Sequence, residues 1–146
     1  MIGILICGHG HFATGILSSL ELIMGKQEDI WAIDFPCHSS KAELEDTYDC
    51  VLASMADCEH VIIFTDLFAG SPFNVAMEHT LADPERISLY FGLNLGMLID
   101  TVNHRMLGET FEQIDGVIVE TGKQQVGKFL PEQFDMGVDK DDGGDL

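Results

Sequence analysis

Basic residues are scarce in this chain: 7 Lys and Arg stand against 25 Asp and Glu, for a net charge of −18. A nucleic acid or an anionic membrane needs clustered Lys and Arg to neutralise its phosphates, so neither is expected as a partner. Long apolar runs are also missing, and none approaches the roughly 20 residues that cross a bilayer. The N-terminus is apolar from Ile2 but lacks a basic stretch and a small-residue cleavage site. It therefore reads as a strand and not as a signal peptide. The four cysteines, Cys7, Cys37, Cys50 and Cys58, contain no C-x-x-C pair. Reduced thiols in a cytoplasmic protein are the expectation. No internal repeat is present.

What is there is enough for one domain with a real core: 146 residues, of which 46% are apolar. Short apolar runs read as strands at 2–7 (IGILIC), 30–35 (IWAIDF), 60–65 (HVIIFT) and 86–91 (RISLYF). Helical stripes lie between them. Phe12, Ile16, Leu20, Ile23 and Met24 form one, with Gly25 as its C-terminal stop. Ser40 with Glu43 makes a capping-box pattern before Leu44, Tyr48, Val51, Leu52 and Met55. Ser71-Pro72 reads as an N-cap followed by a proline at the first helical position. Leu95, Leu98, Ile99, Val102 and Met106 form the last stripe, and GVIVET (116–121) reads as a fifth strand.

This alternation predicts an α/β fold with three layers: an open sheet of four parallel strands, covered on both faces, plus a C-terminal edge strand. The domain is expected over residues 1–130. Residues 131–146, ending DKDDGGDL, read as an acidic, disordered tail.

In such sheets ligands bind beyond the carboxyl ends of the strands. Gly8-His9-Gly10-His11 follows the first strand, Asp66 and then Ala69-Gly70-Ser71-Pro72-Phe73-Asn74 follow the third, and Gly92-Leu93-Asn94 follows the fourth. Singly, each has a plain structural explanation as a tight turn, a cap or a helix start. Together they offer more. An imidazole on a glycine-flanked tip is accessible, and an aspartate on a nearby strand end can accept its Nδ1–H and leave Nε2 as nucleophile. A glycine-serine helix start offers amides to an anion. That combination describes a phosphoryl acceptor. Two rivals fit less well. G-H-G-H-F-A-T-G is not the G-x-G-x-x-G of dinucleotide folds, and Asp34 lies inside its strand. His9, His11 and Asp66 could make a two-histidine, one-carboxylate metal site, but an H-x-H pair on a glycine loop is poor zinc spacing.

G-H-G after the first strand, D-x-x-x-G-S-P-F-N after the third, G-x-N after the fourth and V-E-T-G near 119–122 resemble the enzyme IIA domain of the mannose family of the phosphoenolpyruvate:sugar phosphotransferase system. The resemblance covers residues 1 to about 130. It implies that His9 carries a phosphoryl group received from the phosphocarrier HPr and passed to enzyme IIB, and that Asp66 orients His9. Gly70 and Ser71 fall on the phosphate side. Phe12, Leu67 and Phe68 would form an apolar rim for HPr and IIB. No metal or cofactor is expected, IIB is expected on a separate chain, and the membrane components IIC and IID are reached only indirectly. The resemblance also implies a homodimer in which strand 116–121 crosses to the neighbour's sheet. Two departures from the family pattern are Ala69 before Gly70, where a second glycine is common, and Gly8 before His9, where threonine is common. Functions from other classes are a regulatory phosphocarrier module and a small-molecule or metal-binding α/β domain.

Overall fold

The computed structural model describes residues 1–133. Among the described residues, four strands form one parallel sheet: β1 (Ile2–His9), β2 (Ile30–Phe35), β3 (His60–Thr65) and β4 (Ile87–Phe91), in the order β2-β1-β3-β4. The helices are α1 (Phe12–Met24), α2 (Lys41–Ser54), α3 (Ser71–Ala82), α4 (Leu95–Met106) and α5 (Phe111–Gln124). Strands β2 and β3 span the residues expected of them, and β4 begins one residue later than expected. β1 runs on to His9, so the first histidine ends a strand instead of opening a loop.

Alternation along β1 divides the core. Ile4 and Ile6 point to a cluster with Ala13 and Leu20 of α1, Leu98 and Val102 of α4, and Ile114 and Ile118 of α5. Leu5 and Cys7 point to the other face, against Leu44, Tyr48 and Leu52 of α2 and Val75 and Ala76 of α3. The period-2 strand thus feeds two separate layers, which is why its run is apolar throughout.

The helix boundaries follow local chemistry. Gly25 ends α1 with φ 79°, and its amide bonds to Glu21. Ser40 caps α2 by accepting from the Glu43 amide at 3.1 Å. The start of α3 departs from expectation: the cap is Gly70, at φ 94°, and Ser71 is the first helical residue. Asn94 caps α4 through the Met97 amide, and its side-chain amide donates to the Gly122 carbonyl at 3.0 Å. The G-x-N motif therefore ties α4 to α5.

Residues 116–121 are helical, not a strand. They lie inside α5, so the expected edge strand and its exchange between subunits fall together. Two features outweigh the β-branched run Val117-Ile118-Val119. Thr110 and Gln113 form a reciprocal capping box that starts the helix, and Ile114, Ile118 and Gly122 recur at helical spacing on the buried face. Residues 131–133 form a short 3₁₀ turn. The rest of the expected acidic tail lies outside the described residues.

The helical assignment has a direct test. Ile118 is 1% exposed and Val119 is 51% exposed. Ile118→Ala should lose about 2–5 kcal/mol in urea unfolding, as for a buried aliphatic truncation. Val119→Ala should change the stability of the isolated subunit by less than about 0.5 kcal/mol, as for a site exposed on that subunit. Similar losses at both positions would show that 116–121 buries alternate faces, as a strand does.

Candidate active site

The parallel register builds the site. Gly8 lies opposite Asp34 on β2, and Cys7 lies opposite Thr65 on β3, so Asp66 emerges beside His9. Asp66 uses one oxygen twice. Oδ2 accepts the His9 backbone amide at 3.0 Å and contacts His9 Nδ1 at 2.9 Å. Oδ1 accepts the Leu67 amide at 2.9 Å. Partial burial pulls the Asp66 pKa upward. The His9 amide, the bond to its ring, the ring's charge and the Leu67 amide outweigh this and hold the carboxyl below its usual value. An ionised Asp66 is acceptor-only, so it fixes the His9 proton on Nδ1 and leaves the Nε2 lone pair free.

Nε2 faces the start of α3. A Cβ built on Gly70 would lie 2.8 Å from His9 Nε2 and 2.8 Å from its Cε1. Only glycine fits there, both for space and for its φ of 94°. The first turn of a helix has amides without intrahelical acceptors, and Ser71 and Phe73 stand in that turn. The His9 side chain is 44% exposed and that of Asp66 12%, so the imidazole is open to solvent while its carboxylate partner is largely covered. Below them, burial pushes the Cys7 thiol up to about 12, despite a hydrogen bond to Tyr48. The Tyr48 hydroxyl donates its proton to the Pro72 carbonyl at 3.2 Å. Cys7 is thereby an inert neighbour and not a competing nucleophile.

The remaining expected residues separate. Leu67 and Phe68 are exposed beside the site, and Phe68 packs in a cluster with Phe73 and Phe91, with ring centroids 4.7–6.0 Å apart. Phe91 was not visible as part of this patch from sequence, since it ends a strand that reads as core. Phe12 is partly buried and lies over Gly8, where an added Cβ would approach its ring within 2.6 Å. His11 does not join His9 and Asp66. It turns to Asp34, with Nδ1 3.1 Å from Oδ2. Each imidazole therefore has its own aspartate, and the two-histidine, one-carboxylate set does not assemble. Asp34 was the residue that sequence reasoning passed over. It also accepts from the Thr14 amide at 3.0 Å and the Thr14 hydroxyl at 2.6 Å, supplying to α1 the cap that His11 does not.

An open parallel sheet that holds an aspartate-bound histidine against a helix start defines the chain as an α/β domain with its candidate site at the carboxyl ends of the strands. The comparisons sharpen this class. The chain matches, over residues 3–118, the EIIA-man family, described as "PTS system fructose IIA component", and it belongs to that family. It is 32% identical over 125 residues to the mannose-specific EIIAB component of Escherichia coli K12, covering 86% of this chain and 38% of that protein. The fructose-specific EIIA component of Bacillus subtilis is 28% identical, with 72% of this chain and 71% of the relative covered. Component EIIA of Streptococcus agalactiae superposes with a TM-score of 0.79 at 32% identity, over 88% of this chain and 97% of that one. The chain thus spans less than half the length of the mannose-specific relative. None of the described helices is long and apolar enough to cross a membrane.

The lowered Asp66 pKa predicts an acid dependence. A carboxyl held below its unfolded value, near 3.9, contributes stability above that value and loses it as pH falls through the folded value. Asp66→Asn should therefore be less stable than the parent at pH 7, and the gap should narrow below about pH 4. Urea titrations at pH 7 and pH 3 measure it; a gap of constant size would show that Asp66 is not held by these bonds.

Proposed function

We propose that this chain is a cytoplasmic phosphohistidine carrier of the sugar phosphotransferase system. In this reading His9 receives a phosphoryl group from phospho-HPr and passes it to enzyme IIB for sugar uptake. The observation that carries it is the placement of His9 Nε2 against Gly70, at the N-terminus of α3, with Nδ1 on Asp66. The Nε2 lone pair attacks phosphorus in line, and the N–P bond of the donor histidine breaks as the new one forms. The Nδ1 proton stays on the ring, so no base is needed. Asp66 pairs with the imidazolium-like ring of the product. Amides of Ser71 and Phe73 face the phosphoryl oxygens. Transfer from one histidine to another changes bond energy little, so positioning carries most of the acceleration.

The exposed cluster of Leu67, Phe68 and Phe91 supports an apolar docking rim beside the nucleophile. Phe12 contributes its exposed edge to that rim. HPr and IIB would each seat there in turn. The net charge of −18 suits partners with basic rims.

Two variants separate the chemistry from the fold. His9→Ala should abolish acid-labile labelling by phospho-HPr, while His11→Ala should retain most of it. Gly70→Ala should also lose labelling, because the added methyl group meets the His9 ring, with a stability loss of about 1–3 kcal/mol from the strained backbone. Phosphate mapped by mass spectrometry to a residue other than His9 after reaction with phospho-HPr would sink the proposal.

We further infer a homodimer, on different grounds from an exchanged strand. The outer edge of β4 is unpaired among the described residues, and a parallel sheet leaves such edges covered. Beside it runs a groove of about 470 Å³ lined by Leu89, Phe91, Val119 and Val126, among others. A second copy across this edge would cover both. Sedimentation equilibrium at micromolar concentration should give twice the chain mass of 16.1 kDa, and Val119→Glu should reduce it to the single mass.

A further inference from the structure

The six histidines of the chain are His9, His11, His38, His60, His79 and His104. Four are unsuited to act as nucleophiles through Nε2 with an oriented ring. His104 engages both nitrogens, Nδ1 with Glu109 and Nε2 with Asp100. His79 turns Nε2 to Asp49 and stacks on Tyr48. His60 stacks on Phe111, with Nδ1 buried and unpartnered. His38 has no carboxylate partner among the described residues. The other two share one arrangement among the described residues: Nδ1 on an aspartate oxygen and no hydrogen bond at Nε2. They are His9 on Asp66, at 2.9 Å, and His11 on Asp34, at 3.1 Å.

The second pair is as well anchored as the first. Asp34 Oδ2 also accepts the Thr14 hydroxyl, and Oδ1 accepts the Thr14 amide, so the first turn of α1 fixes the carboxylate. Burial raises the Asp34 pKa, but the Thr14 bonds and His11 more than offset it, and the carboxylate stays ionised. An ionised acceptor puts the His11 proton on Nδ1 and the lone pair on Nε2. The His11 side chain is 85% exposed, against 44% for His9. The difference between them lies around Nε2. His9 faces the glycine start of a helix, and His11 faces solvent.

We propose that His11 is a second phosphoryl acceptor, serving small activated phosphates of the phosphoramidate or acyl phosphate class. The proposal goes beyond the relay through His9 and does not depend on it. The oriented imidazole supplies the nucleophile, and its exposure admits a small donor without docking. A small donor reaches the exposed ring of His11 without using the apolar rim of Leu67, Phe68 and Phe91 that would seat a protein donor. With phosphoramidate, the Nε2 lone pair forms the new N–P bond, the donor P–N bond breaks, and ammonia leaves. With an acyl phosphate the donor P–O bond breaks and a carboxylate leaves. In both cases the Nδ1 proton remains between the ring and Asp34. The product is an imidazolium phosphate whose positive ring the aspartate stabilises.

The test uses the full chain with potassium phosphoramidate at neutral pH, followed by site mapping in the mass spectrometer and ³¹P NMR. His38 is the internal comparator, being a histidine without an aspartate. In His9→Ala, label should accumulate on His11 about tenfold faster than on His38, the factor expected from a charge-assisted hydrogen bond to the developing imidazolium. Asp34→Asn should bring His11 down to the His38 rate. Thr14→Val, which keeps the carboxylate and removes one of its donors, should give an intermediate rate in a folded protein. Equal rates at His11 and His38 would overturn the proposal, as would a His11 rate indifferent to both substitutions. Phosphate arriving on His11 from phospho-HPr would overturn the assignment to small donors.

Discussion

One carboxylate oxygen sets the geometry on which the site depends. Asp66 Oδ2 holds the main-chain amide of His9 and the Nδ1 of its ring at once. The end of β1 and the direction of the imidazole are therefore a single constraint. Rotating the ring away from Gly70 would strip a ring donor from a mostly buried carboxylate. That is the expensive direction, because an ionised group that loses its partners out of water costs more than a neutral one. The Leu67 amide on Oδ1 anchors Asp66 to its own turn, so the constraint passes from the strand end of β3 to the strand end of β1.

This depends in turn on sheet order. With β1 between β2 and β3, its C-terminal tip has a neighbour on each side, and each neighbour brings an aspartate to it. Asp34 and Asp66 flank Gly8-His9-Gly10-His11 from opposite sides. Gly10, at φ 56°, turns the chain between the two histidines, and its amide bonds to the Phe35 carbonyl at 2.8 Å. A residue limited to negative φ would carry the chain elsewhere, and the two imidazoles would not separate onto different aspartates.

The four parallel strands were legible because each is a short apolar run between turn residues, and both faces of the sheet are covered. Residues 116–121 were misread for a physical reason. Val117, Ile118 and Val119 favour strands intrinsically, yet propensity yields to a strong start signal and a buried stripe. The start signal, Thr110 with Gln113, was in the sequence and lay six residues upstream of the run that drew attention. His9 and Asp66 were legible as a pair because both close strands of one parallel sheet. Asp34 was not, because a charge inside a strand has meaning only once that strand is known to lie on the edge beside β1. The cap of α3 moved from Ser71 to Gly70 for a tertiary reason: the chain needs positive φ where the imidazole comes closest.

The net charge of −18 and the proposed phosphoryl cargo pull in opposite directions only if charge is counted over the whole molecule. At physiological salt, exposed charges are screened beyond about 8 Å. The phosphoryl group at His9 Nε2 would feel its near neighbours: amides at the start of α3, the helix's partial positive end, and the ring itself. Asp66 sits on the Nδ1 side, so the imidazole would lie between it and a phosphoryl group on Nε2. Were the ring to become cationic on phosphorylation, as proposed, that carboxylate would neutralise the ring without touching the cargo. The rest of the acidic surface would then act at longer range, on the approach of the proposed basic-rimmed partner and not on the transfer step. A histidine pinned by one aspartate at Nδ1 can in this way gain a dianion on Nε2 within a strongly acidic protein, because attraction and repulsion are assigned to opposite edges of one ring.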